Sequence, residues 1–305
     1  MRTFVIRFGN IWFCACRLGL WVLLWGVVCL WPFGDVAGAA PGLAGRAGTS
    51  AVPIRRIVSL APSLTSNIQY LGAEDLLAGC TSYCQTSRPV PVVASAVKVN
   101  VEMVVSRKPD LVVATDITDP EVIAMLKKCG LRVEVYPTAR SFAEVCTQFE
   151  ALGTLIGRQD QGRKALSKVR EQVARIRASL PAGQKPSLFF QIGANPLFTV
   201  LPGTYMDDLI TFAGARNIAS GMTSGTVTRE FVLLRNPDVI FVVTMGMVGA
   251  QEKQEWERLT RLKAALNRKI FVVSSEQACT PSPVPFVETL RTMVGLMYGN
   301  DVLPE

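Results

Sequence analysis

The stretch SFAEVCTQFEALGTLIGRQDQGRKALSKVREQVARIRASL, residues 141–180, decides how the rest of this 305-residue chain is interpreted. Apolar side chains recur at every third or fourth position from Phe142 onward, which is the period of one face of an α-helix. Basic and polar residues dominate the second half, yet one apolar stripe continues to Ile176, and Pro181 ends the pattern. The pattern predicts one long, rigid α-helix over residues 142–180.

Short apolar runs of strand length alternate with helical patterns on both sides of this stretch. They lie at residues 57–60, 111–114, 188–192, 239–243 and 270–273. Strand–helix–strand alternation at this spacing is typical of a parallel sheet with helices on both faces. The sequence therefore predicts an α/β protein with two lobes. Each lobe is a small, mainly parallel sheet flanked by helices, and the long helix joins them.

The N-terminus has the pattern of a secretory signal peptide. Arg17 and two earlier arginines precede an apolar run, and Ala37-Gly38-Ala39 is typical of a cleavage site. An uncleaved membrane anchor is the alternative, because the run between Arg17 and Asp35 is close to the roughly 20 residues that span a bilayer. The predicted segments are a signal peptide at 1–39, a flexible tether at 40–53, an N-terminal lobe at 54–140, the connecting helix at 141–181 and a C-terminal lobe at 182–305.

An internal repeat relates the two lobes. The sequence NVEMVVSRKPDLVV at residues 100–113 is similar to TREFVLLRNPDVIF at residues 228–241. In both copies a glutamate, Glu102 or Glu230, stands seven residues before a Pro-Asp pair that a buried strand follows. Two similar lobes that face each other form a cleft, and clefts between lobes are common ligand sites.

Composition excludes several classes of protein. The formal charge of +8 comes from dispersed Lys and Arg without interleaved aromatic residues, so no nucleic-acid partner is expected. The chain has no histidine, which removes the usual base of a nucleophile triad. It also lacks the G-x-S-x-G, H-E-x-x-H and Walker A motifs. We therefore expect a protein that is not an enzyme.

Four segments give a more specific indication. RIVSLAPS at residues 56–63, KPDLVV at 108–113, QIGANPLFT at 191–199 and AGARNIA at 213–219 occur in that order. They resemble the periplasmic binding proteins for cobalamin, haem and ferric siderophores, over about residues 54–300. The resemblance implies a monomeric substrate-binding component of an ABC importer, located in the periplasm, that delivers a small metal-chelate ligand to a permease dimer. Membrane contact is then expected only through the importer or an uncleaved anchor.

The resemblance also implies which residues act. The ligand would be gripped by loop residues that face the cleft, namely Pro62, Ser63, Tyr83, Cys84, Ala96, Phe198, Thr226, Glu276 and Cys279. Tyr83 and Phe198 are suited to lie flat against a macrocycle, although Phe198 can equally be a core residue. By position, Glu102 and Glu230 would dock on the permease. Each can also simply complement the dipole of its helix.

The ligand is less well indicated. Residues 191–199 are closest to the cobalamin-binding members, so cobalamin or a related corrinoid is expected, with a ferric siderophore or haem as the alternatives. The tryptophans that cobalamin binders place before each docking glutamate are replaced here by Ala96 and by Gly225 and Thr226. Arg88 and Arg229 are the nearest candidates to grip an anionic siderophore. A membrane-tethered sensor or carrier without an importer is the alternative of another class.

Five cysteines follow the predicted signal peptide: Cys80, Cys84, Cys129, Cys146 and Cys279. Cys84 and Cys279 fall on loops expected at opposite sides of the cleft, where two soft thiolates can touch a metal or a corrin-like ligand. Local pairing of Cys80 with Cys84 and inert buried thiols are the alternatives. The pairing pattern stays open, and neither a cofactor nor a resident metal is expected.

Overall fold

Residues 53–304, apart from 96–97, 184 and 245–247, are described by the computed structural model. The predicted signal peptide at 1–39, its membrane-anchor alternative and nearly all of the predicted tether lie outside the described residues. Within the described part, no helix combines the length and the apolar character that crossing a membrane would need.

The first half of the described chain forms a five-stranded sheet. Its elements are β1 (Ile57–Ser59), α1 (Pro62–Tyr70), β2 (Leu77–Thr81), β3 (Val92–Ala94), α2 (Val101–Ser106), β4 (Leu111–Thr115), α3 (Pro120–Lys128) and β5 (Val133–Tyr136). The strand order is β3-β2-β1-β4-β5, and every pair is parallel. Ile57 pairs with Leu111, and both are fully buried because helices cover the two faces of the sheet.

Two helices and a second sheet follow. The elements are α4 (Phe142–Leu155), α5 (Gln159–Ala178), β6 (Ser187–Ala194), β7 (Leu197–Thr199), α6 (Tyr205–Phe212), β8 (Arg216–Asn217), α7 (Arg229–Arg235), β9 (Val239–Thr244), α8 (Val248–Glu257), α9 (Lys263–Leu266), β10 (Ile270–Ser274), α10 (Ser275–Ala278) and α11 (Pro283–Tyr298). The order is β10-β9-β6-β7, with β8 paired to the start of β6. Only β7 runs antiparallel, as the second strand of a hairpin. The α/β prediction with mainly parallel sheets is confirmed.

The prediction of one long helix over residues 142–180 is wrong. The helical stretch consists of α4 and α5, separated at Gly157, whose φ of +72° lies in the left-handed region. The amide of Gly157 donates to the carbonyl of Thr154, and that of Arg158 donates to the carbonyl of Gly153. A left-handed glycine of this kind ends a helix because it turns the next amides back onto the last carbonyls. The apolar periodicity continues through the break, so the sequence pattern alone does not indicate that the helix ends here.

One apolar core connects the two sheets. It includes Ile57 and Leu111 of the first sheet and Phe190 and Phe241 of the second, and it runs through α4, α5 and α11. Phe142 at the start of α4 stacks on Phe286 of α11, with 4.3 Å between the ring centroids. The connection is therefore made by packing of several helices and not by the stiffness of a single one.

The internal repeat has the same local structure in both copies. Asn100 caps α2 by accepting a hydrogen bond from the amide of Met103, and Thr228 caps α7 through the amide of Phe231. Lys108 and Asn236, which are equivalent by the repeat, both adopt a left-handed conformation, with φ of 48° and 43°. Both helices thus begin with the same capping bond, and a left-handed residue stands at the equivalent position after each.

The aspartates of the repeat also have equivalent partners. Asp110 accepts hydrogen bonds through Oδ2 from the amides of Arg55 and Arg56, just before β1. Asp238 accepts through Oδ2 from the amide and the hydroxyl of Ser187, at the start of β6. Each Pro-Asp pair therefore ties the strand that it begins to the first strand of its own sheet.

Replacement of Gly157 by alanine is expected to destabilise the protein by about 1 kcal/mol, because a Cβ is strained at a positive φ. Gly157→Asn is the matched control and should lose less, since asparagine tolerates this conformation better. Denaturant unfolding followed by circular dichroism measures both. An unchanged midpoint for Gly157→Ala would show that the break between α4 and α5 does not need the left-handed residue.

Asp238→Asn is expected to cost about 1 kcal/mol at neutral pH, because the variant loses a charged acceptor for Ser187 while the site is partly open to solvent. Burial raises the pKa of Asp238, but the hydrogen bonds from Ser187 and the charge of Lys263 outweigh this and lower it below 3.8. A depressed pKa contributes stability above the ordinary value that is lost as the pH falls through the folded value.

The difference in unfolding free energy between wild type and Asp238→Asn should therefore narrow as the pH falls below about 4. Asp160→Asn is the control, because Asp160 forms an ion pair with Arg163 in which both side chains are largely exposed. If the difference in unfolding free energy between wild type and Asp238→Asn stays constant with pH, the charge of Asp238 does not have this stabilising role.

Candidate functional site

The carboxyl edge of the first sheet has the geometry of a ligand site. The chain reverses its direction across the sheet between β1 and β4, and ligands of open α/β sheets bind outside the strand ends at such a point. Pro62 and Ser63 lie here, directly after β1, as the first residues of α1. Pro62 is exposed and Ser63 is half-buried, so both are accessible from this edge.

The loop after β2 is anchored firmly to the first sheet. The carboxylate of Glu74 accepts hydrogen bonds from the amide and hydroxyl of Ser87 and from the side chain of Gln69. The Ser87 hydroxyl is the main reason that the pKa of Glu74 is lowered. Arg88 donates to three backbone carbonyls between Glu74 and Leu77. The loop thus holds Tyr83, whose side chain is 56% exposed, in a defined place.

A direct hydrogen bond joins the two sheets at this edge. The side-chain amide of Gln85 donates to the carboxylate of Glu276, with 2.5 Å between Nε2 and Oε1. Gln85 belongs to the loop after β2, and Glu276 lies in α10, directly after β10. The loop that carries Tyr83 and Cys84 therefore meets the segment that carries Glu276 and Cys279, which are residues predicted for opposite sides of the cleft.

Phe198 is held by backbone contacts of the second sheet. The chain at Thr226 pairs with Phe198 through an isolated β-bridge, and the amide of Thr199 donates to the carbonyl of Gly225. A Cβ at Gly225 would lie 2.9 Å from the ring of Phe198, so the ring rests on this glycine. Phe198 is 39% exposed and is therefore not a plain core residue. Thr226 is exposed beside it.

Arg229 and Arg88 are both held by internal partners. Arg229 forms an ion pair with Glu252, with 2.8 Å between Nη2 and Oε2, and its guanidinium lies 4.6 Å from the ring centre of Trp256. The side chain of Gln191 completes this cluster by donating to Glu252 and accepting from the Trp256 indole. Arg88 is bonded to carbonyls, as described above. Neither arginine is a simple surface charge.

The five described cysteines are all free thiols. The sulfur of Cys84 contacts the hydroxyls of Thr65 and Thr81, at 3.0 and 3.2 Å. The electrostatic neighbour of Cys279 is instead Tyr205, whose hydroxyl donates to the carbonyl of Thr280. The structure thus gives Cys84 and Cys279 different surroundings, and it does not join them as a pair of soft ligands within the described residues.

The remaining predicted residues lie elsewhere. Ala96 is outside the described residues. Glu102 and Glu230 are exposed and lie in the first turns of the helices α2 and α7. The pKa of Glu230 is lowered by its own amide and by the Thr228 hydroxyl, so its carboxylate is charged at neutral pH. Both are available to a partner with positive charge.

Sequence reasoning missed two residues at this edge. Gln85 makes the contact with Glu276, and Ile117, 81% exposed, follows β4 at the point where it neighbours β1. The turn of Ile117 is held by Asp116, which accepts hydrogen bonds from the amide and the hydroxyl of Thr138. An isoleucine within the polar run TDITD was the available signal, since polar turns rarely expose a large apolar side chain.

Comparison with known proteins agrees with this architecture. The vitamin B12-binding protein of Vibrio cholerae serotype O1 is 25% identical over 237 residues, which cover 76% of this chain and 85% of that protein. A structure from Staphylococcus epidermidis, described as a possible iron-binding (periplasmic solute-binding) protein, matches with a TM-score of 0.72 at 24% identity and covers 81% of this chain and 100% of its own. The periplasmic haem-binding protein of Vibrio cholerae matches with a TM-score of 0.72 at 19% identity, over 80% of this chain and 98% of its own.

A protein family model matches most of the described chain. A family model described as periplasmic binding protein matches residues 57–276. This range begins at β1 of the first sheet and ends in α10, so it contains both sheets, the loop after β2, the β6–β7 hairpin and Glu276. This chain belongs to the periplasmic binding protein family.

Proposed function

We propose that this chain is the substrate-binding component of an ABC importer and that it captures cobalamin or a related corrinoid between the carboxyl edges of its two sheets. The observation that carries the proposal is the exposure of aromatic side chains from both halves at this edge. Tyr83 comes from the first sheet and Phe198 from the second, and both are supported by anchored backbone.

Such a pair suits a flat, rigid ligand. An aromatic face gains contact with a macrocycle at little cost in conformational entropy, because only two side-chain angles are ordered. Ile117 adds a third exposed apolar group at the same edge. We assign Pro62, Ser63, Cys84, Thr226, Glu276 and Cys279 as further ligand contacts. Ala96 belongs to this proposed set by the resemblance alone.

Charge favours a corrinoid over an anionic ferric siderophore. Arg88 and Arg229 are the candidates to grip an anion, and both already have internal partners, because Arg88 donates to backbone carbonyls and Arg229 forms an ion pair with Glu252. Binding an anion through either arginine would compete with these hydrogen bonds, and the one from Arg229 to Glu252 is partly buried and charged, so that breaking it costs free energy. Haem remains the third candidate, and the chain contains no histidine as an axial ligand.

The proposed mechanism is capture and hand-over without bond chemistry, in the periplasm and by a monomer. Because one apolar core connects both sheets, we expect only small relative movements of the two halves on binding. Glu102 and Glu230 are proposed as the docking pair for a permease dimer, since the repeat places one exposed carboxylate on each half. A tethered sensor without an importer would use the same cleft but would not need this pair.

Titration of the purified protein with cyanocobalamin, haemin and ferric siderophores tests the ligand. We expect saturable one-to-one binding of cyanocobalamin, detected by calorimetry. Tyr83→Ala and Phe198→Ala should each weaken it about tenfold, or about 1.4 kcal/mol, through loss of aromatic contact. Tyr70→Ala is the matched control, because Tyr70 is as exposed as Phe198 but lies at the end of α1, beside α5 and α11.

Equal losses of cyanocobalamin affinity in Tyr70→Ala and Phe198→Ala would contradict the assignment of the ligand to this cleft. Binding of haemin or a siderophore alone would retain the transport role and reject the corrinoid.

Replacement of the docking carboxylates tests the importer partner. Glu102→Gln and Glu230→Gln should leave ligand affinity unchanged and each weaken association with the permease about tenfold, because each removes one charge pair. Glu121→Gln is the control, since Glu121 is also exposed in the first turn of a helix, α3. Ligand uptake into vesicles that contain the cognate importer is the measurement. Uptake that is insensitive to both docking variants would contradict the docking pair, and no uptake with the wild-type protein would favour the tethered alternative.

A further inference from the structure

Two thiols converge where β2 ends and the loop with Tyr83 begins. The amide of Cys84 donates to the carbonyl of Thr81 over 3.1 Å, which turns the chain back onto the end of the strand. This turn places Cys84 against the apolar core that contains Cys80, and Cys84 is the electrostatic neighbour of the Cys80 thiol. Cys80 is 2% exposed, whereas Cys84 is half-buried.

The other neighbours of Cys84 hold its sulfur in this position. The hydroxyl of Thr65, on α1, donates to it over 3.0 Å, and the hydroxyl of Thr81 lies 3.2 Å away. Both threonines are buried, so the sulfur is enclosed on these sides. No other cysteine of the described residues competes for Cys84, because Cys279 lies beside Tyr205, Cys146 is buried within α4 and Cys129 follows α3.

We infer that Cys80 and Cys84 form a reversible disulfide that ties the end of β2 to the loop carrying Tyr83 and Gln85. The inference goes beyond the proposed transport role and does not depend on the identity of the ligand. Its oxidant is a disulfide, either that of a thiol–disulfide oxidoreductase or that of glutathione. The periplasm proposed for this chain contains such oxidoreductases, and glutathione disulfide replaces them in the test below.

The reaction proceeds by two exchanges that balance atoms and electrons. The more accessible Cys84, as its thiolate, attacks one sulfur of the oxidant and forms a mixed disulfide, while the other sulfur leaves as a thiol. The thiolate of Cys80 then attacks the sulfur of Cys84, and the second sulfur of the oxidant leaves as a thiol. The two cysteines lose two electrons and two protons, and the oxidant gains both.

Ring closure is the slow step. Burial, followed by the neighbouring Cys84, raises the pKa of Cys80 to about 11, so little of it is thiolate at neutral pH. The rate of closure should therefore increase about tenfold per pH unit between pH 7 and 9, because the thiolate fraction rises in that proportion below the pKa. The half-buried Cys84 is the point at which oxidants enter.

The test uses the full chain, reduced and then incubated with glutathione disulfide. The remaining thiols are then alkylated. Peptide mass spectrometry is expected to find Cys80 linked to Cys84, with no lasting glutathione adduct on either of these two cysteines. In Cys80→Ser the second step is impossible, so the glutathione adduct should accumulate on Cys84. Cys129→Ser is the matched control, since Cys129 is exposed and distant from β2, and it should behave as wild type.

Three results would overturn the inference. They are a persistent glutathione adduct on Cys84 of the wild type, full alkylation of Cys80 and Cys84 after oxidation, and a link from Cys84 to Cys279. If Cys80→Ser fails to fold, hydrogen exchange of the wild type provides the second measurement. Oxidation should slow hydrogen exchange of the Tyr83 and Gln85 amides several-fold and leave exchange of the α11 amides unchanged. Equal exchange rates of the Tyr83 and Gln85 amides in both redox states would contradict the crosslink.

Discussion

The packing of α4, α5 and α11 between the two sheets is the constraint on which the rest of the structure depends. Phe142, Phe149 and Phe286 are buried in the same core that contains Ile57 of the first sheet and Phe241 of the second. Side chains of this size each contribute several kcal/mol through burial. A core that spans both halves sets the distance between their carboxyl edges, because interiors are close-packed and deform little.

This constraint explains why loops can act as a binding surface. Gln85 and Glu276 are both exposed and lie 191 residues apart in sequence, yet their side chains meet because the strands before them end at the same edge. Surface hydrogen bonds of this kind contribute little to stability. Their position depends on the core below, while the loops remain free to vary with the ligand.

The repeat shows how the same local physics is used twice. In each half a capped helix carries an exposed glutamate and is followed by a left-handed residue. An aspartate two residues later binds the backbone where the first strand of that sheet begins. Asn100 and Thr228 differ in chemistry but make the same capping bond. A pair of equivalent carboxylates on one molecule matches a partner that is itself built from two equivalent subunits.

The sequence by itself determined the buried strands β1, β4, β6, β9 and β10, the mainly parallel sheets, the repeat and the family, because these depend on local periodicity and on the order of motifs along the chain. It did not predict the strands β2, β3, β7 and β8. It predicted one helix where residues 156–158 separate two, since the apolar stripe persists through this short turn. Only the tertiary structure decided that Arg88 and Arg229 are held internally, that Phe198 rests on Gly225, and that Cys84 neighbours Cys80 and Cys279 neighbours Tyr205. These facts depend on distances between particular side chains in the folded protein, and periodicity carries no information about such distances.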